Sequence, residues 1–251
     1  MIIKRTALIT GATSGIGMAT AKKMAKDYRL ILCGRRQDRL NELSESLANE
    51  TEVYTLNFDV RDKDAIFNAI ETLPEEWKAI DILINNAGNA HGLAPFDEAE
   101  LADLEAMIDI NVKGLIYVSK AVIPLIKKSE NGHIINISSI AGKEVYANGT
   151  TYCASKAAVE SLSKGMRFDL LPYGVKVTNV APGAVETEFS LVRFKGDEEK
   201  SANVYKGFTP LVAEDIADAI AYALNAPQHV QIADVTIFPK AQAAGTTIYR
   251  K

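Results

Sequence analysis

The sequence predicts a single α/β domain, a doubly wound parallel sheet with helices on both faces. Two patterns carry this expectation. Short β-branched runs recur without polar alternation, as strands covered on both faces do, and segments of helical period lie between most of them. Such alternation implies parallel strands joined by right-handed crossover helices. A length of 251 residues fits one domain spanning 1–251; two domains would each be small for these patterns.

Taken in order, strands are expected at residues 6–9, 30–32, 53–56, 80–84, 134–137, 175–178 and 235–238. Between the fourth and fifth, Leu104, Ile108, Asn111, Leu115, Val118, Val122 and Leu125 recur in steps of four and three, one stripe of one helix. Asn111 is the single amide in that stripe. A buried amide needs partners, so Asn111 either fixes the helix register or holds a water. A later helix carries Tyr152 toward Leu171. Its small residues Ala154, Ala158, Ser161 and Gly165 permit close approach, by the chain's own sheet or by another chain. The charged stretch 183–210, interrupted by Gly196 and Gly207, follows a strand's carboxyl end and reads as a lid over the ligand crevice.

Composition narrows the function classes. With 47% hydrophobic and 24% charged residues, the chain can bury a core and is not a disordered one. A net charge of −4 offers no bulk positive field for nucleic acid. No apolar run approaches the length of a membrane span, and no signal-peptide pattern precedes the first strand. Cys33 and Cys153 lie in separate motifs, which argues against a disulfide framework and for a reducing cytoplasm. His91, His133 and His229 show no ligand spacing, so no metal is expected.

Three motifs carry chemistry. Gly11, Thr13, Ser14, Gly15, Ile16 and Gly17 follow the first strand and open a helix. Glycines there let backbone approach a pyrophosphate, and the helix N-terminus offers unpaired N–H groups; a tight turn without a ligand would look similar. Arg35 and Arg36 end the second strand, where an NAD enzyme places an acidic residue. Two guanidiniums with no competing carboxylate suit the 2′-phosphate of NADP, although they also suit the start of a charged surface helix. Tyr152 and Lys156 stand four apart on one helix face. A phenol titrates near 10, too high for a base at neutral pH, and a neighbouring ammonium favours its ionised form.

These pieces occur in order with Asn85-Asn86-Ala87-Gly88, Ser138-Ser139 and Pro182-Gly183, each after a strand. Together they make the chain resemble the short-chain dehydrogenase/reductase family over nearly its whole length. The resemblance implies a Rossmann-like, seven-stranded domain and a catalytic serine thirteen residues before the tyrosine, which selects Ser139. It implies that Tyr152 exchanges a proton with the substrate, that Ser139 holds the substrate oxygen, and that Lys156 binds ribose and lowers the tyrosine pKa. It also assigns Asn111 to a water in a proton relay. Asp59 and Val60 would border adenine, Asn86, Ala87 and Gly88 the adenosine side, and Pro182, Gly183, Val185 and Thr187 the nicotinamide.

The segment 187–197, with Ile237-Phe238-Pro239, is similar to that in NADP-dependent 3-hydroxy acid dehydrogenases. That similarity implies an oxidoreductase acting on serine, allo-threonine or 3-hydroxypropionate and its semialdehyde, assembled as a homotetramer. A carbonyl or 3-oxoacyl reductase and a non-catalytic NADP-binding sensor are the alternatives. A 3-hydroxy acid needs a clamp for its carboxylate. Arg193 is the candidate and Lys195 a weaker one, unless Arg193 pairs with Asp197 or Glu198 on a solvated helix.

Overall fold

The computed structural model describes residues 4–251. Residues 1–3, part of the start in which no leader pattern is expected, lie outside the described residues. The strands are β1 (Arg5–Thr10), β2 (Tyr28–Gly34), β3 (Val53–Asn57), β4 (Ile80–Asn85), β5 (His133–Ile137), β6 (Lys176–Pro182) and β7 (Asp234–Ile237). They form one sheet in the order β3-β2-β1-β4-β5-β6-β7, and every neighbouring pair is parallel. The helices are α1 (Gly15–Met24), α2 (Gln37–Leu47), α3 (Lys63–Glu71), α4 (Leu101–Ile108), α5 (Leu115–Ile126), α6 (Thr150–Leu170), α7 (Glu188–Arg193), α8 (Glu198–Tyr205) and α9 (Ala213–Leu224).

Successive strand residues point to opposite faces, and both faces are covered, which is why the runs lack polar alternation. Ala7, Ile9, Leu30, Leu32, Ile82 and Ile84 pack with Met24, Leu40, Leu43, Ile216 and Ile220 of α1, α2 and α9. Their neighbours Leu8, Ile31, Leu83, Ile134 and Val177 pack on the other face with Ile66, Val118, Val122 and Leu170. Truncating a fully buried residue such as Ile82 to alanine costs roughly 2–5 kcal/mol in a core of this kind. The sixth and seventh runs differ from the expectation: Val175 precedes β6, which continues to Pro182. β7 is an edge strand, its residues alternate between exposed and half-buried, and Phe238 falls outside it.

The stripe from Leu104 to Leu125 is also corrected in its first half. One π-helical turn, Asp109–Gly114, joins α4 to α5. It inserts an extra residue, so Met107 and Ile110 are buried where Ile108 was expected, while Leu115, Val118 and Val122 keep their places. Gly114 is needed in that turn because a Cβ there would lie 2.9 Å from Val60 Cγ2. The stretch 183–210 is two short helices, α7 and α8, joined through Lys195 and Gly196 at positive φ of 54° and 92°. Among the described residues no helix is long and apolar enough to cross a membrane.

Candidate active site

Strand order reverses between β1 and β4, and the carboxyl ends of the strands there open a crevice. A cavity of about 630 Å³ occupies it, running from Arg35 and Asp59 at one end to Arg193 and Tyr146 at the other. Beneath it a buried polar ladder joins the elements. Asn85 donates to Ser119 Oγ (3.0 Å) and Asn136 Oδ1 (2.9 Å), and Asn136 donates to Ser163 Oγ (2.9 Å). This fixes β4, β5, α5 and α6, and hence the loops above them.

The first β–α turn forms one wall. Thr13, Ser14, Gly15 and Ile16 line the cavity with Gly11, whose φ of 65° favours glycine. Gly17 does not line it: a Cβ there would meet the Gly11 carbonyl oxygen at 2.3 Å, so this glycine serves helix–strand packing. Asn86 spends its side-chain amide on the same turn, donating to Thr10 O (2.9 Å) and Gly11 O (3.2 Å). Thr10 Oγ1 accepts from the N–H groups of Asn86 and Ala87, both at 3.0 Å. Ala87 and Gly88 follow along the floor of the cavity.

The two arginines separate. The Arg35 side chain is 61% exposed and meets Asp59 at 3.4 Å. Arg36 is committed: its Nε and NH2 donate to Thr13 Oγ1 (3.2 and 3.0 Å), and its NH1 meets Glu188 at 3.0 Å. Arg39 holds the other oxygen of Glu188 at 2.6 Å. A carboxylate therefore does compete here, supplied by α7 from far along the chain. Asp59 is held by Arg61 at 2.7 Å. Burial pushes its carboxyl upward, and the Arg61 bonds and charge overcome that, leaving it below the ordinary value. Val60 lines the cavity beside it and packs on Gly114.

Tyr152, Lys156 and Ser139 converge on the middle of the cavity. Ser139 Oγ accepts from Ala141 N (3.1 Å) and faces Pro182 O (3.4 Å), whereas Ser138 is turned inward onto the Lys156 carbonyl (3.2 Å). Lys156 Nζ donates to Ile137 O at 3.0 Å and stands 5.9 Å from the Tyr152 ring centre. Burial pushes the Tyr152 phenol well up, Tyr146 adds to the rise, and the Ser139 hydroxyl opposes it. The same burial pulls Lys156 down to about 8. In the protein alone burial thus drives both groups toward their neutral forms, against the pull that the Lys156 charge exerts on the phenol.

Asn111 is buried with its amide fully engaged. It donates to Asn89 O (2.8 Å) and Ser155 Oγ (3.0 Å), and its Oδ1 accepts from Asn89 N (2.9 Å). Its side chain ties the backbone of Asn89 to the π turn and to α6. A Cβ on Gly88 would lie 3.0 Å from Asn111 Oδ1 and 3.2 Å from Lys156 Nζ.

At the far end Arg193 turns inward and is not paired with Asp197 or Glu198. Its Nε donates to Gly92 O (3.1 Å), both terminal nitrogens reach Tyr146 Oη at 3.4 Å, and its guanidinium carbon is 5.5 Å from the Tyr152 ring centre. Asp197 instead pairs with Lys200 at 3.1 Å, and Lys195 pairs with Asp103 at 2.8 Å, which removes Lys195 as a clamp. Pro182, Gly183, Val185 and Thr187 line the side between. Thr187 also caps α7 by accepting from Phe189 N at 3.2 Å. Tyr146, Glu188, Phe189 and Thr246 are among the further lining residues that were not expected. Only Tyr146 carried a signal, an aromatic in a polar loop six residues before Tyr152.

Comparison with known proteins bears on this geometry. A family model described as short chain dehydrogenase matches residues 5–197. A NADP-dependent 3-hydroxy acid dehydrogenase from Schizosaccharomyces pombe is 42% identical, over 98% of this chain and 97% of its own length. A protein named sulfoacetaldehyde reductase 2, from Chromohalobacter salexigens, is 45% identical over 94% of each. The solved closed form of a serine dehydrogenase complexed with NADP+ superposes with a TM-score of 0.92 at 42% identity, covering 98% of this chain and 100% of that one. With more than half the chain matched by the family model and relatives alike over almost its full length, the chain belongs to the short chain dehydrogenase family.

Proposed function

We propose that the chain exchanges hydride between NADP(H) and a small 3-hydroxy acid of the serine, allo-threonine or 3-hydroxypropionate type, or the matching semialdehyde. Arg193 carries the substrate half of this reading. It presents a guanidinium beside Tyr152 that has no carboxylate partner among the described residues, and a guanidinium binds a carboxylate bidentately. A neutral carbonyl compound or an acyl chain gains nothing from that charge. A non-catalytic sensor has no use for Ser139, Tyr152 and Lys156 on one cavity.

The cofactor is NADP, and the residues present fit it. Gly11, Gly15 and Gly88 line the cavity without side chains, and α1 turns its N-terminus to it. Thr13, Ser14, Gly15 and Ile16 would hold the pyrophosphate, Arg35 the 2′-phosphate, and Asp59 and Val60 the adenine. Asn86, Ala87 and Gly88 would border the adenosine side, Lys156 the nicotinamide ribose, and Pro182, Gly183, Val185 and Thr187 the nicotinamide. Bound NADP(H) accepts or supplies the hydride. Everything else falls to the chain: Ser139 hydrogen-bonds the substrate oxygen, and Tyr152 passes a proton to or from it. Burial keeps Tyr152 protonated, which suits it as the acid in carbonyl reduction. Asn111 positions the 88–89 turn against Lys156, and residues 183–210 act as a lid that carries Arg193 to the substrate.

Purified protein with NADP and a panel of 3-hydroxy acids, a 2-hydroxysulfonate and neutral alcohols tests this by nicotinamide absorbance. We expect NADPH with the hydroxy anions at a kcat/KM roughly tenfold or more above that of the alcohols, as for loss of a charged hydrogen bond. No reduction with any of the acids would overturn the reading.

We also propose a cytoplasmic homotetramer. On α6, Ala154, Ser161 and Gly165 face outward rather than onto the chain's own sheet, nothing lies within 4 Å of a Cβ built on Gly165, and Phe168 and Leu171 are exposed nearby. Light scattering at micromolar concentration should give four times the 27.2 kDa chain mass, and a monomer would refute it.

A further inference from the structure

Residues 241–251 lie beyond the final strand and have no part in the reaction described above, yet they are bound to three segments around the cavity. They fold into a short hairpin: Ala243 N donates to Thr247 O (2.9 Å), Tyr249 N to Ala241 O (2.8 Å), and Gln242 bridges to Ile248. Gln242 is the anchor and is only 7% exposed. Its Oε1 accepts from Ala184 N at 2.9 Å, and its Nε2 donates to Ala244 O at 3.1 Å, closing the hairpin turn. Gly183 has to be glycine for this contact, since a Cβ there would lie 2.5 Å from Gln242 Oε1.

The opposite edge of the same residue is also tied, because Leu211 N donates to Ala184 O at 3.0 Å. Ala184 is therefore gripped by both its N–H and its carbonyl, in the segment between Pro182 and Thr187. Elsewhere the hairpin reaches the loop after Ser139, where Gly245 N donates to Glu144 Oε2 at 2.7 Å. It also reaches the end of the lid, where Lys251 N donates to Gly207 O at 2.8 Å and Arg250 to Val204 O at 3.0 Å. Thr246 and Ile248 line the cavity.

We propose that Gln242 is a positioning residue for the reaction: through the Ala184 N–H it sets the backbone of residues 183–187, and the hairpin it anchors walls the substrate end with Thr246 and Ile248. The inference rests on the reading that residues 183–187 border the nicotinamide. Gln242→Met keeps the length and apolar bulk of the side chain but offers Ala184 N–H no acceptor. Gln242→Glu keeps the acceptor and turns its second oxygen on the Ala244 carbonyl, a repulsion that protonation converts to a hydrogen bond.

The test uses the full chain with NADPH, following the induced circular dichroism of the reduced nicotinamide band and the single-turnover rate of hydride transfer to malonic semialdehyde. For Gln242→Met the band should change, and the rate should fall roughly ten- to hundredfold, as for a small misplacement of reacting groups. NADPH affinity should stay within about threefold, because the phosphate and adenine contacts are elsewhere. The rate of Gln242→Glu, relative to the parent at each pH, should recover as pH falls. A Gln242→Met protein with the parent's band and rate would overturn the proposal, as would a rate loss matched by the loss of folded protein. Absence of turnover in the parent would count against the substrate reading alone, since the dichroism comparison needs no substrate and still decides this one.

Discussion

At one end of the cavity, side chains and backbone meet over the ends of strands whose positions the sheet fixes; at the other, four segments far apart in the chain meet one another. The cofactor end is made of the turn after β1, the end of β2, and the residues after β3 and β4, all anchored on the central sheet. The proposed substrate end joins Gly92, Tyr146, Arg193 and the hairpin of residues 241–251, none of them in a strand. Strand ends hold a ligand common to a large family, while loops on a rigid base can change what they accept without disturbing it. The division predicts that variants at the two ends, and in the sheet below them, will fail in different ways.

The largest effect is expected between the two ends. Tyr152→Phe removes the proposed proton donor with little change of volume, so turnover should drop by about 10²–10⁴ while NADPH binding, followed by its fluorescence, stays near the parent's. Activity above roughly one per cent of the parent would break the assignment.

A smaller effect separates the two arginines of the cofactor end. Arg35→Asp should cost roughly tenfold or more of the NADP-over-NAD preference, as loss of a charged hydrogen bond does. Arg36→Gln should instead weaken both cofactors alike, because Arg36 ties Thr13 to Glu188. Kinetics with both cofactors decide this, and a preference lost at Arg36 but not at Arg35 would reverse their roles.

The sheet itself supplies the mildest prediction. His133, buried at the start of β5 and bonded to Thr178 at 2.8 Å, is pulled down to about 3, chiefly by burial and then by Lys176 and Arg5. The unfolded chain takes up this proton near pH 6.5 and the folded one does not, so stability falls as pH drops from about 6.5 toward 3. The slope from this residue approaches about 1.4 kcal/mol per pH unit. Urea unfolding of His133→Asn should show a flatter decline over that window, and an unchanged slope would mean the ring is not what titrates.

How much was legible in the sequence follows the same division. All seven strands were found, most of them because a strand covered on both faces leaves an unbroken apolar run, while β6 and β7 each exclude a residue at one end of the expected run, Val175 and Phe238. The glycine turn, Asn86-Ala87-Gly88, Ser139, Tyr152 and Lys156 are local patterns and were found together. The π turn was invisible, since one inserted residue leaves the apolar spacing nearly intact on either side. The burial of Tyr152 and Lys156 was not legible, because spacing shows only that they share a helix face. Glu188 beside Arg36, 152 residues away, and Arg193 on Gly92, 101 residues away, arise only from tertiary contact. The hairpin of Gln242 has no periodicity or motif to announce it.

The central claim is that the cavity pairs NADP at the sheet-built end with a small acid held by Arg193 at the other. Its most direct test is kcat/KM for 3-hydroxypropionate and for propan-1-ol, in the parent and in Arg193→Met, with NADP. Arg193→Met should lose roughly ten- to hundredfold on the acid, carried mainly by KM, and change on the alcohol by no more than about threefold. Equal losses on both substrates, or none on either, would contradict it.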